Sequence, residues 1–152
     1  MMKPKLLISA CLTGKNTKYS GGNNLSPFLS ELEKHFDLYL ICPEVMGGLP
    51  TPRDPSEQKN NKVFSNLGKD VTKEFELGAQ LSLEIALKNN IQFALLKESS
   101  PSCGTHQIYD GTFSGKKIPG EGVAAQLLKE HGIQLYSENE ILELLKEQTN
   151  ED

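Results

Sequence analysis

Four short, unbroken apolar runs mark this chain, at about residues 5–10, 38–41, 91–96 and 133–136, with longer and more polar segments between them. A strand covered on both faces is apolar throughout, whereas a half-exposed one alternates. Runs of this kind joined by helices describe a mostly parallel sheet, because parallel neighbours need a long, right-handed crossover. The order reads β-α-β-loop-α-β-loop-α-β-α. This predicts an α/β domain with a mostly parallel sheet of about four strands covered by helices.

The connecting segments support that order. Leu25 to His35 reads as a helix with Ser26 at the N-cap, Pro27 in the first turn, and Leu25, Phe28, Leu29 and Leu32 at helical spacing. Gly68 to Asn89 reads as the longest helix, capped by Asp70 or Thr72, with Phe75, Leu77, Leu81, Leu83, Ile85 and Leu87 on its apolar face. Gly122 to His131 is helical and closed by Gly132, and Ser137-Glu-Asn-Glu140 is a capping box that opens a last helix. Two long loops remain. Cys42 to about Leu67 holds four prolines and two adjacent glycines, and irregular loops of that length carry function or stay disordered. Ser99 to about Gly120 includes a hairpin signal at Ile108 to Phe113, around Asp110-Gly111.

At 152 residues the chain reads as one domain, 1–152, with a frayed tail from about 145, and it is long enough to bury a core of its own. The net charge of −4 and the lack of a basic stripe argue against nucleic-acid binding. No apolar run reaches the length of a membrane span. The apolar run after Met1-Met-Lys-Pro-Lys5 is too short for a secretory signal and reads as a first core strand. With three cysteines, an odd count, a disulfide framework is not expected, and the cytoplasm is the expected compartment.

Those three cysteines carry the chemistry. Cys11, Cys42 and Cys103 each follow an apolar run and open a polar loop rich in Gly or Pro. The carboxyl ends of parallel strands lie along one sheet edge, which is where α/β proteins bind ligands. Three thiols brought to that edge predict a metal site with three protein ligands. A 4Fe-4S cluster takes four cysteines, so three leave one iron open to solvent or substrate. Zinc is the rival, since Cys103-Gly-Thr-His106 would complete a Cys3His set, and spacing leaves both metals open. Three separately buried cysteines would be the simplest alternative.

Acid–base candidates surround the thiols. Glu44 lies two residues past Cys42 and either serves a ligand there or pairs with Arg53. Ser99, Ser100 and Ser102 precede Cys103, placed to donate to a substrate or to satisfy the backbone of a turn. Lys97 and Glu98 read as an ion pair at the strand exit.

Several motifs together carry a resemblance spanning about residues 3–145: Ser9-Ala-Cys-Leu-Thr-Gly14 with Lys18-Tyr-Ser-Gly21, Cys42-Pro-Glu-Val-Met-Gly-Gly-Leu-Pro-Thr-Pro-Arg53, Gly68-Lys-Asp-Val-Thr72, Lys97-Glu-Ser-Ser-Pro-Ser-Cys-Gly104 and Tyr109-Asp-Gly-Thr-Phe113. The chain resembles the thiouracil desulfidase family. The resemblance implies a Rossmann-like domain with a 4Fe-4S cluster on Cys11, Cys42 and Cys103. It also implies a small thionated pyrimidine such as 2-thiouracil as substrate, desulfurised without net redox change, with acid–base help from Glu44 and Ser100. The competing expectation is a non-catalytic module that binds zinc or a labile cluster for structure or sensing.

Overall fold

The computed structural model describes residues 3–149. Its main sheet has four strands: β1 (Lys5–Ser9), β2 (Asp37–Ile41), β5 (Phe93–Leu96) and β8 (Gln134–Ser137), in the order β2-β1-β5-β8. Every pair is parallel, and the registers Ser9↔Ile41 and Leu96↔Ser137 bring the carboxyl ends to one edge. From β1 the chain first builds outward to β2, then crosses to the other side to lay down β5. The strand order therefore reverses between β1 and β5, and that switch point opens a crevice beyond their carboxyl ends.

Successive residues of β1 point to opposite faces, so two apolar layers form. Leu7 packs with Leu83, Ala86, Ala125 and Leu128 of α3 (Thr72–Lys88) and α4 (Val123–Glu130). Leu6 and Ile8 pack with Leu32, Ile141 and Leu144 of α1 (Leu29–His35) and α5 (Ile141–Thr149). β1 and β5 are doubly covered, as unbroken apolar runs require, whereas β2 at the sheet edge leaves Leu38 and Tyr39 half-buried and Leu40 exposed, so its apolar run does not mark burial on both faces.

Four expectations need correction. The first turn of the expected 25–35 helix is not α-helical: Ser26 is buried and its Oγ accepts the N–H of Phe28, so the helix starts at Leu29. In α3, Leu77 and Leu87 are exposed, and the buried stripe runs through Phe75, Gly78, Ala79, Ser82, Leu83 and Ala86. Small residues fill that stripe because another backbone lies against it. The 42–67 loop holds a short helix, α2 (Pro43–Met46), and a hairpin, β3 (Ser56–Lys59) with β4 (Lys62–Ser65). That hairpin turns on Asn60 and Asn61, both at positive φ, a two-residue turn whose polar flanks hide it from periodicity. Finally, α5 continues to Thr149 where fraying is expected from 145, with Glu147 and Gln148 bonded to the Tyr136 hydroxyl; residues 150–152 lie outside the described residues.

The second hairpin forms, but more widely than a two-residue turn. β6 (Gln107–Tyr109) pairs with β7 (Lys117–Pro119), leaving residues 110–116 as the connection.

Candidate functional site

Each predicted thiol follows one strand end. β1 runs into a tight helical turn, Ala10–Thr13, that carries Cys11. β2 ends at Ile41, so Cys42 sits at the N-terminus of α2. Cys103 closes a turn after β5 whose carbonyls face α4: Val123 N–H donates to Pro101 O, and Ala124 and Ala125 N–H donate to Ser102 O. Two glycines permit this closeness. A Cβ at Gly78 would lie 1.7 Å from Pro43 O, so α3 and α2 touch backbone to backbone beneath Glu44. A Cβ at Gly122 would lie 2.3 Å from the Ser102 carbonyl carbon, beneath the Cys103 turn.

Cys11, Cys42, Cys103, Glu44 and Ser100 all line one cavity of about 490 Å³ at the switch point between β1 and β5. The thiols are free. Burial pushes the Cys103 thiol up to about 12, with added repulsion from Cys11 and Cys42, and burial likewise raises Cys11, with added repulsion from Cys42. A donor already points at one sulfur: Asn24 Nδ2 lies 3.4 Å from Cys11 Sγ. Bound iron would supply the charge that lets these buried thiols ionise.

The donor set discriminates between metals. No group of three or more His, Cys, Asp or Glu among the described residues is gathered tightly enough for a single ion. A polynuclear cluster, by contrast, spreads its thiolates over separate irons, and hydrogen bonds to its sulfurs tune it. Three free cysteines lining one cavity fit the cluster. The zinc expectation lacks its fourth donor: His106 Nδ1 lies 2.7 Å from Glu98 Oε2, Nε2 lies 3.6 Å from Glu140, and the ring does not line the cavity.

Glu98 is therefore not the partner of Lys97. Lys97 Nζ pairs with Glu138 at 2.9 Å, while the buried Glu98 carboxylate accepts N–H bonds from Ser99, Thr105 and His106 and a hydroxyl bond from Thr105. Burial alone would raise Glu98, but the backbone and ring donors of His106, with Ser99 and Thr105, outweigh it and bring the carboxyl down to about 2. The same contact raises His106. Glu98 thus ties down both ends of the turn that bears Ser100, Ser102 and Cys103.

Glu44 pairs with Arg53 and also lines the cavity. Its Oε1 accepts from Arg53 Nε at 3.0 Å, and its Oε2 accepts from Ser102 Oγ at 2.9 Å, while it still lines the cavity. Arg53 is buried and held by Thr17 O, Pro50 O and Thr51 Oγ1, which fixes the carboxylate in place. Ser100 Oγ lies 3.0 Å from Ser102 Oγ and accepts the N–H groups of Ser102 and Cys103. Because Ser102 gives its proton to Glu44, Ser100 is the donor between the two serines. Serine hydroxyls and one carboxylate therefore form a directed chain from Ser100 through Ser102 to Glu44.

The role of Ser102 as the link, and the contribution of Tyr109 and Phe113 to the cavity, are beyond what residue spacing conveys. The one signal for Ser102 is its place in the Ser-Ser-Pro-Ser-Cys run, which cannot say which hydroxyl meets Glu44.

Known proteins resemble this chain over most of its length. A model of the 2-thiouracil desulfurase family matches residues 6–140. Uncharacterized protein YbbK of Bacillus subtilis (strain 168) is 40% identical over 150 residues, covering 92% of this chain and 99% of that protein. A solved structure described as the [4Fe-4S]-dependent thiouracil desulfidase TudS superposes with a TM-score of 0.89 at 46% identity, covering 93% of this chain and 95% of that one. The chain belongs to the 2-thiouracil desulfurase family.

Proposed function

We propose that this chain is a [4Fe-4S]-dependent desulfidase that converts a thionated pyrimidine such as 2-thiouracil and water into the oxo base and hydrogen sulfide, with no net redox change. The observation that carries the reading is the convergence of three free thiols with Glu44 and Ser100 in one cavity. The similarity to the solved desulfidase supports it.

Cys11, Cys42 and Cys103 would hold the cluster. When bound, it supplies one iron without a cysteine ligand, a Lewis acid with affinity for thione sulfur. The protein supplies proton handling. Glu44, oriented by Arg53, accepts a proton from the water that attacks the carbon bearing sulfur. The Ser100 and Ser102 hydroxyls point toward Glu44 at rest, so they turn over when Glu44 gives its proton back through Ser102 and Ser100 lends one to the base. Any proton lent to the base is returned when the carbon–sulfur bond breaks, so both protons of the water leave with the sulfur as hydrogen sulfide and the oxo base keeps the proton count of the thionated one. The Glu98 network keeps the serine turn in place, and α4 braces it from below.

The test is anaerobic reconstitution followed by a sulfide-release assay on a panel of thionated bases and nucleosides. Four irons per chain and stoichiometric sulfide and oxo base are expected. A protein that carries its full iron yet releases no sulfide from any of them would overturn the desulfidase reading.

A further inference from the structure

One wall of the cavity comes from residues that the proton chain does not use: Tyr109, Phe113, Gly115 and Lys117 of the second hairpin, with Ser56 and Glu57 of β3. Phe113 is the unusual member. Its backbone sits at φ +57°, the left-handed region that a bulky side chain enters only where its surroundings impose it. The residue belongs to none of the apolar clusters and is 38% exposed.

The group that imposes this conformation is Glu57. Its side chain is buried, and Oε1 accepts the backbone N–H of Gly111 at 2.9 Å and of Phe113 at 3.1 Å. The loop lies directly on β3: a Cβ at Gly111 would come within 2.7 Å of Gln58 O. The next residue of β3 reaches the other way. Gln58 Nε2 donates to Pro101 O at 3.0 Å and to Glu121 O at 2.9 Å. One strand therefore latches the Phe113 loop through Glu57 and the serine turn through Gln58, which couples the backbones of the two segments.

A buried carboxylate and a strained backbone here hold an apolar ring at a cavity instead of in a core. An aromatic residue lining the cavity can offer its ring face to a flat heteroaromatic ligand, and such stacking makes little demand on the ligand's polar groups. Tyr109 is less free to serve, because Lys117 Nζ already lies over its ring, 5.5 Å from the centroid.

We propose that Phe113 is the stacking platform that selects a planar ring as substrate, and that Glu57 is the positioning residue that holds it there. This assignment rests on the thionated-base reading of the site. It implies that planarity, more than ring substituents, governs what the cavity accepts.

The test compares wild type with Phe113→Ala, Phe113→Leu, Phe113→Tyr and Glu57→Ala, all reconstituted anaerobically. The readouts are iron content, KM and kcat for 2-thiouracil, and calorimetric binding of uracil, which offers the ring without the sulfur. Phe113→Ala is expected to keep its iron while KM and the uracil Kd each rise about tenfold, the scale of one base–aromatic stack. Phe113→Leu restores apolar volume but not the π-face and falls between, and Phe113→Tyr restores wild-type values. Glu57→Ala raises KM and the uracil Kd as Phe113→Ala does, and in the double variant it adds nothing to the loss caused by Phe113→Ala, whereas an independent structural role would add a loss of its own. Unchanged KM and Kd in Phe113→Ala and Phe113→Leu at full iron would overturn the platform, as would loss of iron in Phe113→Leu. Uracil binding that depends on Phe113 in a loaded protein that releases no sulfide would instead leave the platform standing and remove the desulfidase reading.

Discussion

Ser102 Oγ donates to Glu44 Oε2 at 2.9 Å across 58 residues of chain, joining the turn after β5 to the helix after β2. This single bond sits between two cysteine-bearing loops and converts two separate polar residues into one path. It predicts a graded pattern in turnover. Glu44→Gln keeps shape and removes the ionisable group, so kcat falls about 100-fold or more at full iron content. Ser102→Ala breaks the path and takes one bond from a carboxylate, so kcat falls about tenfold, on the scale of a hydrogen bond to a charged group. Equal activity of Glu44→Gln and wild type, each with four irons, would remove Glu44 from proton transfer.

Ligand count predicts a second result. Cys11→Ala, Cys42→Ala and Cys103→Ala each leave two thiolates, so each should lose most of its iron and all turnover. Iron analysis beside far-UV circular dichroism separates this from misfolding, because the two apolar layers are built mainly from aliphatic and aromatic side chains and the iron-free chain should keep its helical spectrum. Any one variant with full iron and full activity would reduce that cysteine to a core residue.

Much of this was legible in the chain because burial on both faces writes itself as unbroken apolar runs. Leu6 to Ile8 and Ala94 to Leu96 are fully buried, and the thiols follow from the loops after such runs. What stayed hidden depends on contacts between distant backbones. Gly78 reads as a weak point in a helix until Pro43 is seen against it, and Leu77, a strong apolar signal, faces solvent for the same reason. The Asn60-Asn61 hairpin lies between Glu57-Gln-Lys and Lys62, polar neighbours with no period to detect, although its strand carries the latch on Phe113. Glu98 reads as a partner for the adjacent Lys97, since local charge pairs are what spacing suggests, yet its partners come from the turn seven and eight residues on.

The α2–α3 contact predicts a stability effect with a functional echo. Gly78→Ala places a methyl where Pro43 O now sits, so the helices must separate, at a cost of about 1–3 kcal/mol by comparison with other overpacked sites. Because α2 carries Glu44 just after Cys42, a shift of this helix also lowers turnover and iron retention together. A melting temperature and iron content equal to wild type would show that the contact is loose. Ala79→Gly, one position along in the same buried stripe, is the control: it destabilises without moving α2.

Glu98 sets a prediction in pH. Its carboxyl is held at about 2 in the folded chain against an ordinary 4.5, so the folded state binds fewer protons than the unfolded one across that interval. Its contribution is fully present above pH 4.5 and is lost as pH falls toward 2. His106 runs the other way: raised by the Glu98 contact, it favours folding below its ordinary 6.5 and loses that contribution as pH rises through its raised value. His106 is mostly exposed, so Glu98 dominates. Thermal melts of the iron-free protein from pH 7 down to 2, followed by far-UV circular dichroism, should show a steep loss on the acid side. Glu98→Gln should melt lower than wild type at pH 7, because an amide satisfies fewer of the N–H groups of Ser99, Thr105 and His106. It should also flatten the interval from 4.5 to 2, and parallel curves for the two proteins there would show that Glu98 carries no linked proton.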